Sequence, residues 1–231
     1  KKLGPSLLDV DDWHGKGGKN MTFYVMEYIE GESIHRYIRK HGYEWMGVFV
    51  LQLLDSLEAL HQAGWVFGDF KTDNLIITKS PVRVRWIDVG GTTQMGRAIK
   101  EYTAFYDRAH WGLGSRRAEA SYDLFALVMT VLHVCYPKHF ARGSHPEQTL
   151  SRRLRAIKPL HIYYKPFKKA IDGRYQTSRE MRDEIKTVMQ QAQKKKGDKQ
   201  RHSSVQMQSI WTESAGIFLL AGVYYLVSFL F

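Results

Sequence analysis

His61-Gln-Ala-Gly-Trp-Val-Phe-Gly-Asp-Phe-Lys-Thr-Asp-Asn-Leu-Ile-Ile77 and, a few residues on, Val84-Arg-Trp-Ile-Asp-Val-Gly90 decide how this chain is read. Asp69, Lys71 and Asn74 share a short polar segment that runs straight into the apolar residues Leu75-Ile76-Ile77. A second apolar run, Val82 to Ile87, delivers Asp88 just before Val89-Gly90. Two β-prone runs joined by a short turn with Pro81 predict a hairpin. Pairing of its strands brings Asn74 and Asp88 to one end, with Asp69 in the loop leading in. That set suits phosphoryl transfer: a carboxylate for the hydroxyl proton, an ammonium for phosphate charge and two oxygen ligands for Mg²⁺.

Outward from this centre the chain is mostly helical. Ser33–Arg39 reads as a short helix and Glu44–Gln62 as a longer one, with Val48, Leu51, Leu54, Leu57 and Leu60 at three- and four-residue steps. Gly64 supplies the stop, and His61, at the helix end, reads as structural. Upstream, Thr22–Met26 is a short β-prone run, and Gly15-Lys-Gly-Gly-Lys19 lacks phosphate-loop spacing and reads as a turn. Gly90–Ala120 has no sustained apolar period. Ser121–Val134 is apolar nearly all round, which marks a helix at the middle of a domain. Ser151–Ala156, Tyr164–Ile171 and Ser178–Gln193 read as further helices.

Asp69-x-Lys71-x-x-Asn74 resembles the protein-kinase catalytic loop, and Asp88-Val89-Gly90 resembles the Asp-Phe-Gly metal motif. The separation of the two aspartates, 88 − 69 = 19, suits that family. Gly64–Asp69, Arg85–Thr93 and Trp111–Arg117 are similar in wording to bacterial Hanks-type serine/threonine protein kinases, in particular to the tail-anchored, sporulation-associated group of bacilli. The resemblance runs from Leu3 to about Gln193 and implies an α+β fold, mostly the helical large lobe with a remnant of the β small lobe. It divides the chain into remnant and hinge (1–30), large lobe (31–193), basic juxtamembrane linker (194–209) and transmembrane helix (210–231).

The resemblance also implies ATP and Mg²⁺ as cofactors and assigns roles. Asp69, Lys71 and Asn74 are catalytic, and Asn74 with Asp88 holds the metal. Met26 is the gatekeeper, the Glu27 carbonyl and Ile29 amide meet the adenine edge, and Ile76 and Asp88 complete the ATP site. Asp123 holds the catalytic-loop backbone. Arg174 is the late arginine that pairs with the glutamate of Ala-Pro-Glu in the family. That motif is absent here, with Tyr106–Trp111 in its place, so this pair stays open. The usual His-Arg-Asp is Phe67-Gly68-Asp69, and Gly68 removes the cation that would meet a phosphorylated residue. Activity is therefore expected to survive replacement of every threonine from 92 to 103. Thr72 stands where proline is commoner. No Gly-rich loop, strand lysine or partner glutamate precedes the hinge, since Lys1, Lys2, Lys16 and Lys19 lie in turns or at the terminus. The expectation is a sequence lacking most of the small lobe, or else a degenerate kinase.

Composition frames the rest. With 231 residues, 44% hydrophobic and 13% aromatic, the chain is long and apolar enough for a packed core. Cys135, the single cysteine, excludes an intramolecular disulfide and lies in an apolar run, where a buried thiol is expected. The net charge of +11 is uneven: residues 1–137 hold 16 basic and 16 acidic side chains, whereas 138–182 hold 12 and 3, net +9. That region is either a solvated face or a surface for DNA or anionic lipid; the resemblance implies DNA. Behind the basic Lys194–Arg201, Ala215–Phe231 carries no charge and spans roughly 26 Å as a helix, close to a bilayer core. The expected placement is a single-pass C-terminal anchor in the cell membrane, with the catalytic domain cytoplasmic. Protein substrates and a homodimer complete the expected partners. Two alternatives remain: a small-molecule phosphotransferase, suggested by Gly68-Asp69 and Ile87-Asp88, and a pseudokinase or DNA-binding scaffold at the membrane.

Overall fold

The computed structural model describes residues 4–15, 18 and 20–197. The chain forms two units, Lys1–Thr187 and Val188–Phe231. The first holds every candidate site residue; in the second, the described residues 188–197 are helical.

Leu7–His14 (β1) and Asn20–Met26 (β2) pair antiparallel, with Val10 opposite Tyr24 and Trp13 opposite Met21. The two strands therefore form a hairpin; the glycine-rich turn expected between them falls largely outside the described residues. Every residue of both strands is exposed. The hinge follows and enters Glu32–Ser33 (β3), which pairs with Leu75–Lys79 (β5); β5 pairs in turn with Val82–Trp86 (β6). Strand alternation sends Leu75, Ile77 and Trp86 into the core, while Ile76 faces the other way and stays partly exposed. Gly31 is required at the hinge exit, because a Cβ there would lie 2.5 Å from the Ile77 carbonyl oxygen.

The helices build the larger mass. Ile34–His41 (α1) starts at Ser33, whose hydroxyl accepts from the Arg36 amide at 3.3 Å. Glu44–Gln62 (α2) packs Phe49 against Tyr37 of α1, ring centroids 5.3 Å apart. It stops at Gly64, whose φ of +84° suits the left-handed position after a helix. Ala120–Cys135 (α3) is buried from Tyr122 through Leu132, as its all-round apolar sequence requires. Pro146–Ala156 (α4) begins five residues earlier than its apolar pattern predicts (151 − 146). Pro146 opens the first turn, and the polar residues 147–149 had hidden it. Tyr164–Ile171 (α5) matches its expected bounds, and a last helix (α6) covers 178–197.

Two buried carboxylates hold these pieces together. Asp123, with no exposed surface, accepts from the amides of Phe67 at 2.7 Å and Gly68 at 3.0 Å. His61 Nε2 lies 2.9 Å from the same carboxylate, and its Nδ1 meets the Ser178 hydroxyl at 2.9 Å. One carboxylate thus ties α3 to the end of α2, the start of α6 and the loop after Trp65–Val66 (β4). The second carboxylate, Asp107, anchors the irregular segment 90–120. It accepts from the His110 amide, the Arg116 guanidinium and the Tyr122 hydroxyl, the last at 3.1 Å. Asp107 and burial push the Tyr122 phenol above its usual range, burial being the larger cause.

Arg174, the expected anchor of this segment, does not serve it. Its side chain is 71% exposed and lies 3.7 Å from Asp172 in its own turn. No glutamate of an Ala-Pro-Glu motif exists for it to meet. The buried arginine here is Arg108, which donates to the Ser115 carbonyl at 2.7 Å, to the Ser121 hydroxyl at 2.7 Å and to Glu119. Among the described residues no helix is long and apolar enough to cross a membrane. The expected transmembrane helix 210–231, and the linker from 198 on, lie outside the described residues.

Asp123→Ala should destabilise the protein by about 3 kcal/mol, since three donors lose one buried charged acceptor. Asp73→Ala, at an exposed position, should cost less than about 0.5 kcal/mol. Urea unfolding midpoints at constant slope check the contrast.

Candidate active site

The polar end of the β5–β6 hairpin is where the sequence places it. Asn74 closes a single turn, Thr72–Asn74, and its carbonyl accepts from the Ile87 amide at 3.0 Å. Leu75 sits opposite Trp86 in the ladder, so Asn74 faces Ile87 and Asp88 follows as the next residue at the same end of the hairpin. The Asn74 side-chain amide donates to the Asp69 carbonyl at 3.0 Å. Lys71 Nζ pairs with Asp69 Oδ2. Asp69, Lys71 and Asn74 therefore form one hydrogen-bonded set. Phe67 supports it from below: it is buried, with ring centroids 4.3 Å from Trp86 and 5.7 Å from Phe70.

Gly68 has φ of +81°, and a Cβ there would stand 2.7 Å from the Gly91 carbonyl oxygen. Close passage of the chain, as well as backbone angle, thus demands glycine where the family carries arginine. Gly91 in turn lies against Asp69: its own Cβ would be 3.0 Å from the Asp69 Cβ. Asp88 is exposed, and its Oδ1 accepts from the Gly90 amide at 2.8 Å. Asp88 Oδ2 and the Asn74 amide oxygen are hard donors that fit Mg²⁺. This ion takes a carboxylate or two and fills its other positions with phosphate oxygens and water. Among the described residues there is no cluster of three His, Cys, Asp or Glu side chains fit to hold a metal by itself.

The expected nucleotide residues occupy the hinge side. Gly31 brings the hinge exit against Ile76, whose Cγ2 would be 2.2 Å from a Cβ at Gly31. Ile29 is buried. The Glu27 carboxylate accepts from the Ser6 amide at 3.1 Å and pairs with Arg85 of β6 at 3.4 Å. The Ser6 amide first, and then Arg85, hold this carboxyl below its usual range. Met26, the expected gatekeeper, ends β2 opposite Leu7 and is 53% exposed.

Three contributors went unread in the sequence. Thr103 Oγ1 donates to Asp69 Oδ1 at 3.2 Å, so the second oxygen of that carboxylate is also fixed. Tyr106 and His133 close on Thr72 behind the loop. Thr103 is a lone threonine in an aperiodic segment, and its only signal was its place ahead of the aromatic pair Phe105-Tyr106. Cys135 is half-buried, and burial pushes its thiol up to about 12, so it takes no part.

A carboxylate held at both oxygens, a lysine on it and an asparagine beside a metal-competent aspartate describe a phosphotransferase of the kinase type. The protein kinase domain family matches residues 10–209, and the chain belongs to that family. It is 45% identical over 195 residues to serine/threonine-protein kinase YabT of Bacillus subtilis (strain 168), over 84% of this chain and 58% of that relative. It is 23% identical over 191 residues to probable serine/threonine-protein kinase CPE1738 of Clostridium perfringens, over 73% and 28%. It is 31% identical over 83 residues to serine/threonine-protein kinase PknG of Mycobacterium leprae, over 34% and 11%. The chain thus spans less than two thirds of the length of each of these relatives.

The Thr103 contact sets that residue apart from Thr92 and Thr93, which make no bond to Asp69 among the described contacts. Thr92→Ala and Thr93→Ala should keep phosphoryl transfer within about twofold, whereas Thr103→Ala should lower kcat about tenfold, or roughly 1.4 kcal/mol. Steady-state rates of the single variants check this.

Proposed function

We propose that the chain carries the catalytic lobe of a serine/threonine protein kinase, which moves the γ-phosphoryl of MgATP to Ser or Thr hydroxyls of protein substrates. The observation that carries this reading is the double hold on Asp69, by Lys71 on one oxygen and Thr103 on the other. A carboxylate aimed in this way accepts the proton of the attacking hydroxyl. Lys71 pairs with that carboxylate, and its ammonium would meet the charge of the transferred group. Asn74 and Asp88 would hold the metal, which when bound neutralises phosphate charge. Lys71, Gly90 and Asp123 favour this over the small-molecule phosphotransferase reading. In the intact protein, Asp69→Asn should lower transfer by about 10²–10⁴. Labelled ATP offered with protein acceptors and with small alcohols separates the classes. Label on the alcohol alone overturns the protein-kinase reading.

Two further parts of the proposal concern where the kinase acts. Arg152, Arg155, Lys158 and Lys165 are exposed, and no acidic side chain pairs with them among the described residues. This supports a phosphate-binding face for DNA, since clustered cations need no sequence readout. Arg153 belongs to the packing instead: its guanidinium lies over the rings of Phe140 at 4.7 Å and Tyr136 at 4.9 Å. The uncharged run Ala215–Phe231 behind Lys194–Arg201 supports a membrane anchor with the kinase on the cytoplasmic side. Glutamate at Arg152, Arg155 and Lys158 together should weaken DNA binding, and binding by the unaltered protein should fall steeply with salt. A salt-independent affinity in filter binding would remove the DNA partner, and retention on anionic vesicles alone would assign the face to lipid.

A further inference from the structure

Behind the catalytic loop, side chains from separate elements close a hydrogen-bonded triangle. Thr72 opens the turn between Lys71 and Asn74, Tyr106 ends the turn Ala104–Tyr106 of the activation segment, and His133 lies near the end of α3. The Tyr106 hydroxyl is 3.1 Å from Thr72 Oγ1 and 2.5 Å from His133 Nδ1. Thr72 Oγ1 is 3.0 Å from the same Nδ1, and the Thr72 amide points at the phenol oxygen from 3.5 Å. A fourth contact sets the direction. His133 Nε2 faces the Pro137 carbonyl at 3.3 Å, and a carbonyl only accepts. The neutral ring therefore carries its proton on Nε2 and offers Nδ1 as acceptor. Tyr106 donates to Nδ1, and its oxygen receives the hydroxyl and amide of Thr72.

We propose that Tyr106 and His133 are positioning residues for phosphoryl transfer: through Thr72 they hold the turn that carries Lys71 and Asn74, fastening it to the activation segment and to α3 together. This rests on the kinase reading of the site. The turn moves as one piece, because the Asn74 amide donates to the Lys71 carbonyl at 3.2 Å. A displaced Thr72 therefore shifts both the ammonium and the metal-holding amide, and small misplacements at such groups are costly in rate.

The polarity of the triangle works only with a neutral imidazole. A proton on Nδ1 would leave the Tyr106 hydroxyl without its acceptor. The groups facing His133 are His35 of α1, ring centroids 4.8 Å away, His139 in the loop after α3 at 4.5 Å, Asp73 of the catalytic turn, Tyr106 and the Pro137 carbonyl. Burial first, then His35 and His139, push the ring below the usual histidine range, against smaller opposite pulls from the Pro137 carbonyl and Asp73. Burial likewise pushes the Tyr106 phenol up. The triangle is therefore closed at neutral pH and opens as pH falls through the lowered value.

The test compares the intact protein with Tyr106→Phe, His133→Gln and His133→Leu. It reads kcat and KM against pH together with hydrogen-exchange protection of the Thr72 amide. Tyr106→Phe and His133→Leu should each lower kcat about tenfold, leave the acceptor KM nearly unchanged and reduce Thr72 protection, with the double variant no worse than either. His133→Gln keeps an acceptor that does not titrate, so it should retain most of the neutral-pH rate and flatten the acid limb. Unchanged kcat in Tyr106→Phe, or an unmoved acid limb in His133→Gln, overturns the proposal. If the unaltered protein transfers no phosphoryl group, the kinase reading fails by itself. Thr72 protection then decides positioning: its loss in Tyr106→Phe supports the triangle, and its persistence overturns it.

Discussion

The buried charge of Asp123 is the constraint on which the site depends. A carboxylate without water has to find donors within the protein. It finds them in the amides of Phe67 and Gly68 and in His61. Those amides belong to the residues just before Asp69, so satisfying the buried charge also sets the course of the chain into the site. A helix that is buried from nearly every side supplies a rigid base for that bond.

Around this anchor the site is assembled by backbone contacts more than by long side chains. The hairpin register sets Asn74 opposite Ile87, one residue before Asp88, and the Asn74 side chain returns to the Asp69 carbonyl. Gly68 lets two loops pass at a separation a side chain would not permit, and Gly91 keeps the same approach close to Asp69. The activation segment adds Thr103 and Tyr106 from the opposite side. The result is a catalytic loop gripped by α3, by the hairpin and by the segment that follows it.

Much of this was legible because the signals are local. Asp69, Lys71 and Asn74 lead into one apolar run and Asp88 ends another, and the pairing of the two runs follows from alternation and a proline turn. The helix at Ser121–Val134 announces itself by lacking a polar face, and α2 and α5 end where their periods end. What escaped reading depends on distance along the chain. Thr103 meets Asp69 across a separation of 34 residues, and His133 meets Thr72 across 61; no periodicity reports such meetings. Arg174 was carried over from a family pattern whose glutamate this chain lacks, and the structure gives the buried arginine's place to Arg108. The beginning of α4 was missed because its first turn is polar.

The segment from Thr93 to Glu119 already has its bonds. Gln94 pairs with Trp65, the Gly96 amide reaches the Ala118 carbonyl at 2.8 Å, the Ile99 amide reaches the Arg116 carbonyl at 2.8 Å, and Asp107 and Arg108 bind it to α3. A covalent signal changes a population only by the free energy with which it favours one state over another. In this structure the ordered segment is held without any added charge, and Gly68 places no cation beside Asp69. The order of this segment is thus carried by the chain's own hydrogen bonds and ion pairs, which tie its two ends to each other and its middle to α3.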